Sequence, residues 1–375
     1  MKEKRAVMLI SGYNPRAVVA FCRWATQHKV SFHIIASGKE DPILLTKYAD
    51  QVEIIRGTKD LEADDILHWV KKVFQLYGYD RLVVLPTTEY FNRFLLKNRE
   101  VLESEGCIIP LVDEALYIEI SDKRKFADLC QSHGLDIPHE FKRIPESPPF
   151  VAKPKAYFTA AGMPLYPHLI RDITDYESFR NYQDLDDYFF QEFVTGENHY
   201  LLACFLKDGP FLLFSQENLI QQSGGKSVIL ARRSQYHRTE NAKKYVDMLK
   251  EIGFYGLIMI EVRRTESGEY VMIEANPRLW GPMQFVVDNH IDFFGMLLRD
   301  NEFEINDTLE EEIRTEYYYW AGGITEDAQP VVFHHYSEPD FLRNIHDIRK
   351  HDIYLREDTL NIYLQELGIV EKAYG

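Results

Sequence analysis

GLIMIEV at positions 256–262 and YVMIEANPR at 270–278 are the two stretches that decide the fold. Both are apolar and strand-like, and the turn residues between them predict a hairpin. Side chains alternate along a strand, so Glu274 and Asn276 share a face, and the pairing can place Glu261 beside them. Two carboxylates and an amide oxygen suit Mg²⁺ (or Mn²⁺), and burying them without a cation would be costly. The residues alone leave open that Glu261 and Glu274 are solvent-facing strand ends.

Residues 1–112 precede this hairpin and alternate short apolar strands with helical patterns. Such alternation predicts an α/β domain with an open parallel sheet. We expect strands at 6–10, 32–36, 52–55 and 81–86, and helices at 15–28 and 62–77. Ligands of such sheets bind beyond the C-terminal strand ends, which are 11–16 and 86–89 here. The first of these lacks the GxGxxG phosphate fingerprint, which weakens a dinucleotide-binding interpretation.

Residues 113–305 have a different character, typical of an α+β domain with antiparallel sheets. A helix with a good N-cap is predicted from 121 to 133, and another from 239 to 252. Strands are expected at 150–153, 188–192, 200–206, 211–216, 257–263 and 270–274. We divide this domain at 190/191 into two subdomains and treat 306–375 as a C-terminal extension. Its aromatic run at 317–320 is interpreted as core or interface packing.

Composition excludes several classes of protein. The net charge of −16 argues against nucleic acid as a partner, because phosphate backbones bind basic surfaces. No apolar run approaches the ~20 residues of a membrane helix, and the N-terminal apolar stretch is too short for a signal peptide. The four cysteines are far apart and form no CxxC pair, so we expect buried thiols in a reducing, cytoplasmic protein.

Positions 273–278, Ile-Glu-Ala-Asn-Pro-Arg, resemble the metal-binding signature of ATP-grasp enzymes, an apolar residue followed by E-x-N-P-R. Lys123 at a helix start and Lys153 on a strand match the family's two phosphate-gripping cations. QEFVTGENH at 191–199 is similar to the hinge strand that receives adenine and ribose. The resemblance covers about residues 123–300 and is nearest to the carbamoyl-phosphate-synthetase-like carboxylate–amine ligases, in particular the synthetase large subunit. Residues 1–112 would then be the family's pre-ATP-grasp domain.

The resemblance implies a complete set of site residues. Glu261, Glu274 and Asn276 would bind the metal, while Arg278, Lys153 and Arg232 would act on the transferring phosphoryl group or the substrate. The nucleotide would contact Lys123, Lys153, Gln191, Glu192, Phe193, Val194 and either Glu197 or His199, between which the ribose contact stays open. The loop at 155–162 departs from the family pattern, since it has one glycine and lacks the synthetase's histidine. That departure puts bicarbonate in doubt as a substrate.

The implied function is that of an ATP-dependent ligase. A small-molecule carboxylate would be activated as an acyl phosphate and attacked by an amine, with release of ADP and phosphate. Neither substrate can be named from the sequence, and a homodimer stays open. The alternatives are an ATP-dependent carboxylase or phosphotransferase with the same clamp, and a nucleotide-binding sensor without turnover.

Overall fold

Three β-sheets organise the chain in a computed structural model that describes residues 3–57, 61–155, 159, 163, 165–207, 209–305, 315–326 and 330–368. Most of the predicted phosphate-covering loop at 155–162 lies outside the described residues. Within the described residues, no helix is long and apolar enough to cross a membrane. The four cysteines are buried thiols, as predicted.

The first sheet is five-stranded and parallel, with strand order β3-β2-β1-β4-β5. Its strands are β1 Arg5–Ile10, β2 Phe32–Ala36, β3 Val52–Ile55, β4 Arg81–Pro86 and β5 Cys107–Ile108. Its helices are α1 Pro15–Gln27, α2 Ala63–Tyr77, α3 Glu89–Lys97 and α4 Arg99–Ser104. The side chain of Asn14 caps α1, and that of Thr88 caps α3, so both helices begin directly at C-terminal strand ends. The predicted parallel α/β start is confirmed.

The second sheet is small and antiparallel, with order β6-β9-β7-β8. It follows two helices, α5 Glu114–Ser121 and α6 Lys123–Ser132. Its elements are β6 Glu140–Phe141, β7 Phe150–Pro154, β8 His168–Ile170, α7 Ile173–Tyr182 and β9 Tyr188–Glu192. One face buries Phe150, Ala152 and Phe190 against Phe179 of α7. Because strand side chains alternate, Lys153 and Gln191 occupy the other face.

The third sheet is larger, with order β14-β13-β10-β11-β12-β15 and β16 paired to β11. The elements from the central part of the chain are β10 Glu197–Phe205, β11 Phe211–Gln221, β12 Val228–Arg233, α8 Glu240–Glu251, β13 Gly256–Arg264 and β14 Tyr270–Asn276. One face shares a core with α1, and with α9 Met283–Val287 and α10 Phe293–Arg299. The opposite face packs on α5, α6 and α8. The expected antiparallel α+β architecture is confirmed, whereas β12 was not predicted.

The C-terminal segment completes the large sheet. Its elements are β15 Tyr317–Tyr319, α11 Gly322–Glu326, β16 Val332–Phe333, α12 Glu338–Ile348 and α13 Leu360–Glu366. Strand β15 pairs with β12, and Tyr318, Tyr319 and Trp320 are buried, in line with the packing role predicted for the aromatic run. The domain limits at 112, 190 and 305 stay predictions.

Two arginines of α1 join the parallel sheet to this segment. The Arg16 guanidinium lies 3.8 Å from the ring centroid of Trp320. Arg23 forms a two-pronged ion pair with Asp358, at 2.8 and 3.0 Å, and also donates to Thr359 Oγ1. The two ends of the described chain are therefore packed against each other.

Candidate active site

The hairpin of β13 and β14 brings its polar side chains together as the alternation predicted. Glu261 and Glu274 are directly opposite each other, next to a β-bulge. The amide of Asn276 donates to Glu274 Oε1 at 2.8 Å, and Arg278 Nη2 donates to Asn276 Oδ1 at 2.9 Å. Glu261 is only 5% exposed, which contradicts the alternative of a solvent-facing strand end.

Two lysines from the preceding elements converge on this hairpin. Lys123 is the first residue of α6, and its Nζ lies 3.2 Å from Glu274 Oε2. Lys153 projects from β7 of the small sheet, and its Nζ donates to the carbonyl of Ile273 at 3.0 Å. The small sheet therefore contacts the hairpin through Lys153, and α6 contacts it through Lys123.

Burial and neighbouring charges shift the pKa values of three side chains in this cluster. Burial, together with the nearby charge of Lys123, lowers the pKa of Lys153 to about 8. Burial also raises the pKa of Glu261. For Glu274 burial acts in the same direction, but Lys123, the Asn276 amide and Lys153 outweigh it and lower its pKa. Two opposed carboxylates in one buried site thus differ in how readily they ionise.

This donor set fits a magnesium ion. Mg²⁺ takes one or two protein carboxylates and completes its octahedron with phosphate oxygens and water. Glu261, Glu274 and the amide oxygen of Asn276 supply that number of ligands. Among the residues described, no cluster of three or more His, Cys, Asp or Glu side chains forms a fully protein-made metal cage.

The predicted hinge residues are at the end of β9 and directly after it. Gln191 is 3% exposed and shares the face of Lys153, and its Oε1 is buried without a hydrogen-bond partner among the residues that the structure describes. Glu192 is exposed and accepts a hydrogen bond from the His139 backbone through Oε2 at 3.4 Å. Phe193 and Val194 are half-buried in the connection to β10. A buried amide oxygen on the same face as Lys153 is the kind of acceptor that an adenine amino group could use.

Glu197 and His199, the two residues predicted as alternatives for the ribose contact, lie on the face of the large sheet that points away from the carboxylates. Tyr200 pairs directly with Glu261 across β10 and β13, so the odd-numbered side chains before it point to the opposite face. There His199 bonds Glu197 at 3.2 Å and stacks on Tyr236. Strand alternation is the physical reason for this placement.

Arg232, which was predicted to act on the phosphoryl group or the substrate, lies on the face of the sheet away from the carboxylates. It pairs with Glu217 of β11, which is in turn opposite His199, so Arg232 shares the face that points away from Glu261. Its guanidinium forms two hydrogen bonds with the Glu217 carboxylate, at 2.8 and 3.0 Å. A side chain committed to this pair on the far face is not positioned to reach the cluster.

Asn198 is the residue that sequence reasoning missed. It lies between the two residues considered for ribose, is fully buried, and donates to Glu261 Oε1 at 3.0 Å and to Gln221 Oε1 at 2.7 Å. Its own oxygen accepts from Asn218 Nδ2 at 3.3 Å. Only the pairing of β10 with β13 reveals its direction, and no local signal in the sequence carries that pairing.

The predicted ligand edge of the parallel sheet borders the same site. Asn14, beyond β1, donates to the carbonyl of Leu279 at 3.4 Å, and Asn92 of α3 donates to that of Pro277 at 3.1 Å. These bonds fix the loop that carries Arg278. The C-terminal ends of β1 and β4 thus border the carboxylate cluster.

Comparison with solved structures finds the same architecture. The biotin carboxylase domain of Hydrogenobacter thermophilus 2-oxoglutarate carboxylase, solved with MgADP and bicarbonate, has a TM-score of 0.60 at 14% identity, over 84% of this chain and 74% of that one. An L-amino acid ligase from Bacillus licheniformis has a TM-score of 0.57 at 17% identity, over 84% of this chain and 78% of that one. N5-carboxyaminoimidazole ribonucleotide synthetase in complex with ADP has a TM-score of 0.57 at 15% identity, over 82% of this chain and 79% of that one.

At these identities the likeness concerns the fold. No protein-family model and no curated protein matches the chain. The three similar structures are all ATP-grasp enzymes, and their parallel and antiparallel sheets correspond to those described above. The chain therefore has the ATP-grasp fold.

Proposed function

We propose that the protein is an ATP- and Mg²⁺-dependent ligase that joins a small-molecule carboxylate to an amine. One observation carries the proposal: Lys123, Lys153 and Arg278 converge on Glu261, Glu274 and Asn276, of which Glu261 and Asn276 are buried. Cations and oxygen ligands that compensate each other in this way form a site for a metal-bound polyphosphate.

Each residue has a role in this proposal. Lys123 and Lys153 bind the phosphates, and Glu261, Glu274 and Asn276 hold the metal, which supplies Lewis-acid polarisation of the terminal phosphoryl group. Arg278 stabilises charge that develops on the transferring group. Gln191 and the Val194 backbone face the adenine. Asn198 replaces Glu197 and His199 as the polar residue of β10 on the site's face.

The reaction has two steps. A carboxylate oxygen attacks the terminal phosphorus, and the bond to the bridging oxygen breaks, giving an acyl phosphate and ADP. The amine nitrogen then attacks the acyl carbon, loses a proton, and displaces inorganic phosphate to leave an amide. The carboxylate and amine would bind at the edge formed by the ends of β1 and β4. A cytoplasmic location and a homodimer belong to the same proposal.

The test is release of ADP and phosphate against a panel of carboxylates, bicarbonate included, with and without amines. Release that needs both a carboxylate and an amine supports the ligase. Release of both products with bicarbonate alone would identify a carboxylase. Release of ADP without phosphate would identify a phosphotransferase, and no release under any condition a sensor.

Glu274→Gln should lower ATP consumption by at least about a hundredfold, because loss even of residues that support a metal ligand costs 10–100-fold. The fold should persist, since the amide is isosteric with the carboxyl group. Glu266→Gln is the matched control, an exposed residue in the turn of the same hairpin, and should leave turnover unchanged. Substantial ATP consumption by the Glu274 variant would contradict the metal assignment.

A further inference from the structure

A histidine of the C-terminal segment belongs to the hydrogen-bond network behind Glu261. His334 follows β16 directly, and its backbone N–H donates to the carbonyl of Leu219 at 2.9 Å, so its position is set by sheet pairing. Its ring contacts two side chains. Nδ1 lies 3.0 Å from Arg263 Nη1, and Nε2 lies 2.8 Å from Gln221 Oε1.

The direction of each bond follows from the partners. A guanidinium only donates, so Nδ1 of His334 accepts, and the neutral ring donates from Nε2 to the Gln221 oxygen. Desolvation, with the charges of Arg263 and His335, lowers the pKa of His334 to about 3, which is consistent with one neutral tautomer. The ring therefore acts as a fixed acceptor on one side and a fixed donor on the other.

Both branches of the network end on the same atom. Arg263 Nη2 lies 3.6 Å from Glu261 Oε1. On the other side Gln221 is bonded by Asn198, which donates to Glu261 Oε1 at 3.0 Å. The five side chains form a closed ring, His334–Arg263–Glu261–Asn198–Gln221. Among the described residues, the hydrogen bond from Asn198 and the nearest approach of Arg263 both fall on Oε1 of Glu261.

We propose that His334 is a positioning residue for the metal ligand Glu261, an inference that rests on the proposed function. By accepting from Arg263, His334 holds the guanidinium at the edge of the carboxylate. Without that acceptor, Arg263 would be able to form a two-pronged ion pair with Glu261 and compete with the metal for the carboxylate. By donating to Gln221, His334 also fixes the amide that orients Asn198. Such outer partners commonly set metal affinity.

The experiment measures Mn²⁺ binding to the full-length chain in the presence of ADP, by electron paramagnetic resonance, for His334→Phe. We expect Mn²⁺ affinity to fall about 10- to 100-fold, while ADP affinity without metal stays within about twofold. His351→Phe is the matched control, because His351 is in the same segment and bonds Thr315 outside the ring. That control should bind Mn²⁺ like the unsubstituted protein.

Two further variants separate positioning from simple loss of structure. In His334→Asn the side-chain oxygen can still accept from Arg263, so we expect Mn²⁺ affinity to recover toward that of the unsubstituted protein. Gln221→Leu breaks the other branch and should weaken Mn²⁺ binding even where His334→Phe fails to fold.

Three outcomes would overturn the inference. Unchanged Mn²⁺ affinity in folded His334→Phe or Gln221→Leu would contradict positioning and leave the proposed function intact. Loss of metal-free ADP binding in His334→Phe would make His334 a nucleotide contact instead. Failure of the unsubstituted protein to bind Mn²⁺ with ADP would overturn the proposed function, and this inference with it.

Discussion

Lys153 shows at the scale of one residue how a binding site lowers stability. With its pKa lowered from 10.5 to about 8, keeping this buried side chain charged at pH 7 costs about 3 kcal/mol. The unfolded chain holds this proton up to pH 10.5, and the folded chain releases it near pH 8. The unfolded state therefore binds more protons between these values, and the contribution of Lys153 to stability rises with pH across that range.

Lys153→Met should consequently stabilise the ligand-free protein at pH 7, by up to about 3 kcal/mol, while ATP affinity falls at least about tenfold. The gain should shrink between pH 8 and 10. Urea unfolding at several pH values and nucleotide titration measure the two effects. Lys155→Met is the control, since the Lys155 side chain is exposed and its ammonium group donates to the backbone carbonyl of Asp186. A variant that is less stable at pH 7 would contradict the assigned cost of burial.

At the scale of elements, β10 shows what alternation can and cannot predict. The sequence identifies a strand with polar residues at its start, and strand geometry implies that its neighbours point to opposite faces. Which face carries the carboxylate cluster depends on the pairing of Tyr200 with Glu261. Those residues are far apart in sequence, so no local pattern carries the pairing. For this reason the sequence did not single out Asn198, which shares the face of Glu261.

The start of β10 also depends on a glycine. Gly196 has a φ of +137°, and a Cβ there would lie 2.1 Å from the carbonyl oxygen of Arg264. Gly196→Ala combines this clash with backbone strain, so we expect a loss of more than about 3 kcal/mol in unfolding free energy. Gly209→Ala, with a φ of +103° and open space around it, should show the strain alone, about 1–2 kcal/mol. Equal losses in chemical unfolding would contradict a steric role at Gly196.

At the scale of the whole molecule, the C-terminal segment is docked on α1 through a partly buried ion pair. Arg23 and Asp358 are 11% and 18% exposed, and the hydrogen bond from Arg23, together with one from Tyr48, outweighs burial and lowers the pKa of Asp358. Asp358→Ala would leave the partly buried Arg23 without its carboxylate, a loss of about 1.5–3 kcal/mol. The neighbouring Glu357 pairs with Lys47 at the surface, and Glu357→Ala should change stability by less than about 1 kcal/mol.

Thermal unfolding of the two variants checks this contrast. At low pH, the difference in stability between Asp358→Ala and the unsubstituted protein should also disappear. The lowered pKa of Asp358 means that its contribution is present above the unfolded value of 3.8 and is lost as pH falls below it. Similar stability of both variants at pH 7 would contradict docking through this pair.

How far the sequence predicts this molecule depends on the distance between interacting residues. The parallel sheet, the hairpin and the carboxylate–asparagine–arginine cluster follow from local periodicity and motif, and the strands at 32–36, 52–55 and 81–86 match the observed bounds. Strand β12 and the joining of β15 to the large sheet depend on long-range pairing, as does the contact of His334 with Gln221. Such contacts leave no trace in the pattern of a single segment.

The ring behind Glu261 has one more consequence, for how the site responds to acidity. Apart from Glu261 itself, the ring contains two amides, which do not titrate, and an imidazole that gains a second proton only in strong acid. The amides and the imidazole of the ring therefore keep one protonation state from mildly acidic to mildly alkaline solution. Any pH sensitivity of the site in that range must originate in the carboxylates and Lys153. The hydrogen bonds that hold Glu261 in place should therefore not change with pH.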